Sequence, residues 1–291
     1  PPARNCLNIP QQVSMLMVVA AGMTIVMVMG DFALSVGSTA SLAGIVAALM
    51  MAAGQPLWLS LGLALVVGLL GGVFNGAMVS LVGILPFIAT LATMTMFSGF
   101  AFVISGGRTI SGRAIPEEFG SFACGGVTLG EWGGVAVNLP NLSILAILVV
   151  LAVWGLLEQT TFGRRLYAIG GNMEAAHLSG IAVKRLRLIA FALTGLAAAV
   201  GGLMYASRVA SANPVQGSGL MLNAIAAVFL GSTMTRHGEP KILATVIGVL
   251  VLGVLDNGLT QMSVDSYVRQ VLVGGLILVA VAASSVSQSR R

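Results

Sequence analysis

Long runs of apolar residues that contain no charged side chain occupy most of the chain. The longest, residues 32–107, holds 76 residues, which is enough for three membrane-spanning helices of about 20 residues each. Turn residues divide it at Gly54-Gln55-Pro56 and at Gly83-Ile84-Leu85-Pro86. The runs are continuous and do not alternate with polar residues, which argues against a transmembrane β-barrel. The pattern predicts an all-α polytopic membrane protein with nine crossings, at residues 12–30, 36–53, 57–82, 85–105, 141–157, 188–207, 218–235, 242–260 and 267–286.

The amino-acid composition supports the same class. Hydrophobic residues make up 57% of the 291 residues and charged residues 8%, whereas soluble domains carry roughly 25% charged residues. A water-soluble fold is excluded, because too few polar side chains are present to cover its surface. We therefore interpret residues 1–291 as a single transmembrane domain embedded in the lipid bilayer.

The distribution of Lys and Arg predicts the orientation in the bilayer. Cytoplasmic loops are enriched in these residues, and the loop 158–187 carries five: Arg164, Arg165, Lys184, Arg185 and Arg187. This loop is therefore predicted to be cytoplasmic and the loop 106–140 extracytoplasmic. The same count places residue 1 outside, and the chain starts without Met, so we expect a further crossing upstream. The net charge of +5 reflects orientation, since no basic stretch with interleaved aromatic residues indicates nucleic-acid binding.

Two blocks of the chain correspond at a constant offset of 182 positions. Residues 36–105 align with 218–287, and the glycines and asparagines that coincide are Gly37 with Gly219, Gly71 with Gly253, Asn75 with Asn257, and Gly76 with Gly258. The first span of one block runs outward and that of the other runs inward, which predicts an inverted repeat with a substrate path near the midplane. Polar interruptions at 30–38 and 214–219 favour broken segments facing protein or a cavity, although each is also compatible with an ordinary interfacial turn.

Residues that could support catalysis or bind a metal are sparse. His177 and His237 are both far from any cysteine, so no metal site is predicted. Neither lysine follows a glycine, so a Walker-type phosphate loop is not expected. Asp31 and Asp256 are the acids within or near the spans, whereas a proton- or sodium-driven carrier usually needs buried acids or a dedicated ion site. The sequence indicates a transport protein that is not an enzyme and has no ATP site of its own.

The predicted cytoplasmic loop contains a short helix with recognisable ends. Asn172 is a good N-cap, and Glu174 then lies in the first turn, where the helix dipole favours an acid. Ala175 and Ala176 allow a partner to approach closely, and Gly180 is expected to end the helix. The pattern predicts a rigid helix offered to a partner, or alternatively a solvated connector.

These residues resemble a known family. Glu174-Ala175-Ala176, followed after three residues by Gly180, resembles the EAA…G signature of ABC importer permeases. Pieces along nearly the whole chain resemble the ribose/xylose-type sugar permeases: Gly22-Met23-Thr24, Leu34-Ser35-Val36-Gly37-Ser38, Asn75-Gly76, Phe162-Gly163-Arg164-Arg165, Tyr167-Ala168-Ile169-Gly170-Gly171-Asn172, Leu178-Ser179-Gly180-Ile181, Ala224-Ile225-Ala226-Ala227-Val228 and Asp256-Asn257-Gly258-Leu259. The chain departs from that family at Ala33 and Asn223, where Asp is usual, and at 231–240, so the resemblance does not define the sugar.

The resemblance implies a core of two permease subunits, homodimeric or heterodimeric, with a cytoplasmic ABC ATPase and an extracytoplasmic sugar-binding protein. It implies about ten helices in the full protein, a location in the bacterial cytoplasmic (inner) membrane, and no cofactor in this chain, since ATP and Mg²⁺ belong to the ATPase. Coupling to the ATPase is then expected from Gly171, Asn172, Glu174, Ala175, Ala176 and Gly180.

Two further sets of residues follow from this function. A sugar is polar and uncharged, so neutral polar or small residues of the spans are candidates to line the path: Ser35, Gly37, Ser38, Thr39, Asn75, Asn223 and Asn257. Each polar residue is also a candidate for a hydrogen bond that joins helices. The loop 106–140 is expected to orient the binding protein through charges of both signs: Arg108, Arg113, Glu117 and Glu118.

Two other functions remain open from the sequence. An ion-coupled carrier or facilitator would work without an ATPase, so it would transport alone in liposomes. A related ABC permease for branched-chain amino acids or nucleosides would share the architecture, and the ligand of its binding protein would distinguish it.

Overall fold

A computed structural model describes residues 2–112, 115–132, 135–235 and 238–262, together with positions 268, 271, 272, 274 and 275. The helices within these residues are α1 (Pro2–Met27), α2 (Val36–Ala52), α3 (Leu57–Ala77), α4 (Pro86–Ser105), α5 (Glu117–Cys124), α6 (Asn141–Trp154), α7 (Thr161–Gly171), α8 (Met173–Leu178), α9 (Val183–Val209), α10 (Ser218–Ser232) and α11 (Ile242–Gln261). π-Helical turns extend α3 through Met78–Val82 and α6 through Gly155–Gln159. The strands are β1 (Ile110–Ser111), β2 (Gly126–Trp132), β3 (Val135–Pro140) and β4 (Ser211–Ala212), in the antiparallel pairs β1–β4 and β2–β3.

The structure is that of an all-α membrane protein. Five helices of the described residues are long and apolar enough to cross a bilayer, and three shorter apolar helices accompany them, at Val13–Met27, Val36–Ala52 and Ser218–Ser232. Eight of the nine predicted spans therefore coincide with an apolar helix. The ninth, 267–286, lies almost entirely outside the described residues, so the number of crossings stays a prediction. The four short strands were not predicted from the sequence.

Helix α9 lies at the centre of the bundle and packs against α1, α2 and α3. Its closest neighbour is α3, whose face toward α9 carries a glycine at every fourth position: Gly68, Gly72 and Gly76. A Cβ atom on Gly76 would lie 2.8 Å from the Cα of Leu188, and one on Gly195 would lie 2.8 Å from the Cα of Gly72. Small residues at this spacing let membrane helices pack backbone to backbone. Large apolar side chains point outward on α3, α4, α6 and α11, as expected of surfaces that meet lipid or another subunit.

Two breaks in the helices occur at corresponding places. Helix α1 ends at Met27 and α9 at Val209, and eight residues follow in each case, forming the first break (28–35) and the second break (210–217). Helices α2 and α10 then begin 182 positions apart, which is the offset of the predicted repeat. The matching bounds support a repeat. Its opposite orientation in the membrane, and a pseudo-two-fold axis in the membrane plane, remain predictions.

The second break turns back into the bundle instead of staying at its end. Gln216 donates through Nε2 to the carbonyl oxygen of Gly202, at 3.4 Å, and Gly202 lies seven residues before the end of α9. At 1.5 Å per helical residue, the break reaches roughly 10 Å below that end. Helices α2 and α10, of 17 and 15 residues, are both shorter than the roughly 20 residues that span a bilayer.

The beginnings of α2 and α10 meet in backbone contact. A Cβ atom on Gly37 would lie 2.5 Å from the carbonyl oxygen of Gly217, and one on Gly217 would overlap the carbonyl oxygen of Gly37. The backbone N–H of Gly217 donates to Ser41 Oγ at 2.8 Å, so a side chain of α2 satisfies a donor at the start of α10. Side chains within the second break satisfy two more backbone donors. The Oδ1 atom of Asn213 accepts a hydrogen bond from the N–H of Val215, and the Oε1 atom of Gln216 accepts one from the N–H of Asn213.

We predict that Gly217→Ala destabilises the protein because the added methyl group collides with backbone, which cannot move aside as a side chain can. Overpacking of this kind costs about 1–3 kcal/mol. Thermal unfolding of the purified chain in detergent should show a lower melting temperature. The matched control is Gly219→Ala, where a Cβ atom meets nothing within 4 Å. Equal melting temperatures for the two variants would contradict the close contact.

Candidate functional site

The short helix predicted in the loop 158–187 is present as α8, with the predicted N-cap. Asn172 adopts extended backbone geometry, and its Oδ1 accepts a hydrogen bond from the backbone N–H of Ala175 at 2.9 Å. Glu174 lies in the first turn. The helix ends at Leu178, and Gly180 has a φ of +81°, a left-handed conformation that glycine adopts most readily. The local structure of this segment was therefore predictable from its capping residues.

Most of the residues assigned to coupling are exposed on this helix or beside it. Gly171, Asn172, Glu174, Ala175 and Gly180 are all exposed. Ala176 differs, because it is buried against the core of its own chain, where its small side chain lets α8 lie close to the bundle.

Leu178 at the end of α8 was not predicted to have a functional role, and 81% of its surface is exposed. It is the most exposed large apolar side chain of the described residues, which makes it a candidate anchor for a partner. The available signal was its position four residues after Glu174, which places both residues on one face of a helix.

Helix α7 anchors this exposed region to the bundle. A Cβ atom on Gly170 would overlap the carbonyl oxygen of Val28 in the first break, so the two backbones are in direct contact. The hydroxyl of Tyr167 donates to the carbonyl oxygen of Pro240, in the turn before α11, at 3.2 Å. Burial raises the pKa of the Tyr167 hydroxyl to about 12, and the charges of Glu158 and Glu239 add to this effect. The Tyr167 hydroxyl therefore remains a neutral donor even near pH 10, where a free tyrosine begins to ionise.

Four of the residues assigned to the path lie together in a buried polar cluster. Asn75 donates through Nδ2 to Ser35 Oγ at 2.8 Å, and Thr93 Oγ1 donates to Asn75 Oδ1 at 2.6 Å. The hydroxyls of Ser38 and Thr39 both donate to the carbonyl oxygen of Ser35, at 2.9 and 2.8 Å. The cluster joins the start of α2 to α3 and α4. Thr93 was not predicted, because it is one of several hydroxyl residues in the apolar helix α4 and the sequence does not show which of them faces inward.

The remaining path residues lie elsewhere on α2, α10 and α11. Gly37 forms the close contact with Gly217. Asn257 is buried on α11, where its Oδ1 accepts a hydrogen bond from Gln261 at 2.8 Å. Asn223 is exposed on α10 and lines a cavity of about 550 Å³ near the second break. The described residues that line this cavity are uncharged, and its polar side chains are Thr109, Tyr205, Ser211, Asn213, Gln216, Ser218 and Asn223.

The loop 106–140 forms a folded cap at the opposite end of α9 from α8. Helix α5 packs against α9, and Ser207 Oγ donates to the carbonyl oxygen of Phe119 at 2.5 Å. Strand β1 pairs with β4 of the second break. Three of the residues expected to dock the binding protein are exposed here, namely Arg108, Glu117 and Glu118. Arg113 lies outside the described residues. Among the residues whose positions are described, no three His, Cys, Asp or Glu side chains come together as metal ligands.

Residues 5–281 match the family described as the branched-chain amino acid transport system permease component. The chain is 39% identical to the ribose import permease protein RbsC of Bacillus subtilis, over 95% of this chain and 83% of that one. It is 34% identical to the D-allose transport system permease protein AlsC of Escherichia coli (96% and 82% covered) and 33% identical to the xylose transport system permease protein XylH of the same organism (99% and 86% covered).

Solved structures share the fold at low sequence identity. PsaBC from Streptococcus pneumoniae, in complex with Fab, superposes with a TM-score of 0.51 at 15% identity, over 96% of this chain and 88% of that one. An inward-facing transporter described as a metal-chelate type ABC transporter superposes with a TM-score of 0.54 at 16% identity, over 94% and 85%. The family match covers nearly the whole chain and the helical fold agrees with it. The chain therefore belongs to the branched-chain amino acid transport system permease family, which also includes the sugar permeases of ABC importers.

Proposed function

We propose that this chain is a permease subunit of an ATP-driven importer for a sugar or polyol. The observation that carries the proposal is the exposed, capped helix α8, which projects from a permease fold and is anchored through α7 to the first break and to the residues just before α11. Its relatives RbsC, AlsC and XylH are named for ribose, D-allose and xylose, which supports a sugar over the amino acids of the family's description. The uncharged cavity beside Asn223 agrees with a neutral, hydroxyl-rich substrate.

The proposed complex has two permease subunits, a separate cytoplasmic ATPase that binds ATP and Mg²⁺, and an extracytoplasmic sugar-binding protein. The chain crosses the inner membrane nine times, with α8 in the cytoplasm and the cap formed by 106–140 outside. The substrate passes between two inverted halves that meet where α2 and α10 begin. Asn223 lies at the outer part of this path, whereas the cluster around Asn75 holds α2, α3 and α4 in position.

We predict that Glu174→Lys and Gly180→Asp uncouple ATP hydrolysis from uptake. Glu174 is exposed at the start of α8, and any side chain at Gly180 is strained by its φ of +81°. Proteoliposomes containing the permease, its ATPase and its binding protein should hydrolyse ATP but take up little radiolabelled sugar, while sugar still binds to the isolated binding protein. Glu158→Lys, which reverses an exposed charge outside α8, is the control. Normal uptake by both variants would contradict docking through α8.

We predict that Leu178→Ser weakens the association of the permease with its ATPase. Truncating an exposed apolar anchor at a protein interface should raise the Kd about tenfold, which corresponds to about 1.4 kcal/mol. Leu85→Ser is the matched control, because Leu85 is 67% exposed before α4 but lies outside α8. The Kd can be measured by titrating labelled ATPase onto permease in nanodiscs. If the two substitutions raise the Kd equally, the contribution of Leu178 is nonspecific surface hydrophobicity, and a specific anchor is contradicted.

We predict that the cap formed by 106–140 is accessible from outside the cell. Ser121 is exposed on α5, so a cysteine there should react with a membrane-impermeant thiol reagent in intact cells. The background should lack Cys6 and Cys124, and a cysteine at the exposed position Ala175 on α8 should react only after lysis. Labelling at position 175 in intact cells, with labelling at position 121 only after lysis, would overturn the proposed orientation.

A further inference from the structure

The start of α9 is tied to the first break by a salt bridge with two hydrogen bonds. Arg187 donates through Nε to Asp31 Oδ2 at 2.8 Å and through Nη2 to Asp31 Oδ1. The side chains are only 15% and 5% exposed, so the pair is largely shielded from water. A planar guanidinium that bonds both oxygens of one carboxylate fixes distance and orientation together, which a single hydrogen bond does not.

The same guanidinium also contacts α8. Its third nitrogen, Nη1, lies 3.8 Å from the sulfur of Met173, which is the first residue of that helix. Arg187 therefore touches the proposed docking helix on one side and the first break on the other. A cavity of about 790 Å³ lies beside this contact, between α8, the start of α9 and the end of α3. This cavity opens to solvent, so α8 has room to shift on that side without displacing packed atoms.

Residues next to Asp31 connect the first break to other helices. The ring of Phe32 packs against Phe229 of α10 with centroids 6.0 Å apart. The carbonyl oxygen of Phe32 accepts a hydrogen bond from Thr90 of α4 at 3.1 Å. Four residues after Asp31, Ser35 enters the polar cluster with Asn75. A displacement of Asp31 would thus act on α10, on α4 and on the start of α2.

We propose that Arg187 is a positioning residue that transmits movement of α8 to the helices around the path, by holding Asp31 in the first break. This inference depends on the proposed function, because it assumes that α8 receives the movement of an ATPase. The salt bridge acts as a stiff link: when α8 and the start of α9 move, the first break follows, and with it the contact of α2 with α10. A continuous chain of contacts between two sites does not by itself establish energetic coupling. The coupling has to be tested by substituting residues in that chain.

The test separates transmission from stability. A single substitution, Asp31→Asn or Arg187→Gln, leaves a partly buried group without its partner and is expected to lower both stability and coupling. The double variant Asp31→Leu with Arg187→Met removes both charges, and apolar replacement of a buried pair is often neutral or stabilising. Lys241→Gln, which removes an exposed charge at the start of α11, is the control. Proteoliposomes with ATPase and binding protein are assayed with radiolabelled ribose, xylose and D-allose, and the sugar taken up per ATP hydrolysed is measured beside the melting temperature.

We expect the double variant to regain the wild-type melting temperature but to transport about fivefold less sugar per ATP, the lower end of usual coupling between sites. Lys241→Gln should match the wild type in both measurements. The inference would be overturned if the double variant regained the wild-type sugar-to-ATP ratio together with its stability, or if no variant changed that ratio. The pair of Asp31 and Arg187 would then be a structural contact alone. The wild-type complex is measured first. If it takes up neither these sugars nor radiolabelled polyols, both the proposed function and this inference fail, whereas uptake by the wild type confines any failure to the role of Arg187.

Discussion

The contact between the first turns of α2 and α10 is the constraint on which the rest of the bundle depends. Two helix breaks inside an apolar protein expose backbone donors and acceptors that lipid cannot satisfy. Here the backbones approach each other at Gly37 and Gly217, and the side chains of Ser41, Asn213 and Gln216 supply partners for three of the donors. Any side chain at the two glycines would separate the helices and remove the hydrogen bond between the Gly217 N–H and Ser41, which is the one of the three that crosses from one helix to the other.

Packing elsewhere divides the molecule into rigid and less constrained parts. The glycine face of α3 holds that helix against α9 along several turns, so the two are expected to move as one body. Helix α8, by contrast, is a six-residue helix on the surface, with the cavity beside it. Its connection to the bundle passes through Ala176, through the α7 contacts with Val28 and Pro240, and through Arg187. Two of these contacts, those of α7 with Val28 and of Arg187 with Asp31, lead to the first break.

The sequence predicted the helices well because the length of an apolar run depends on the membrane and not on tertiary packing. The N-cap of α8 was predictable for a similar reason, because it is a local interaction: the Asn172 side chain accepts a hydrogen bond from the backbone N–H of Ala175, three residues later. Which face of each helix points inward was not predictable. Almost every position in the apolar helices is hydrophobic, so periodicity carries little information, and the inward direction of Thr93 emerges only from packing.

The meeting of two helix beginnings also has an electrostatic consequence. Each helix N-terminus carries a partial positive charge of roughly half an elementary charge, and the two lie side by side among uncharged polar side chains such as Ser41 and Gln216. A proton or sodium ion that approaches this point is expected to be repelled, as at the half-helix ends that exclude cations from other membrane pores. An uncharged molecule experiences no such repulsion. The geometry that brings α2 and α10 together would thus help the closed protein keep the membrane potential intact.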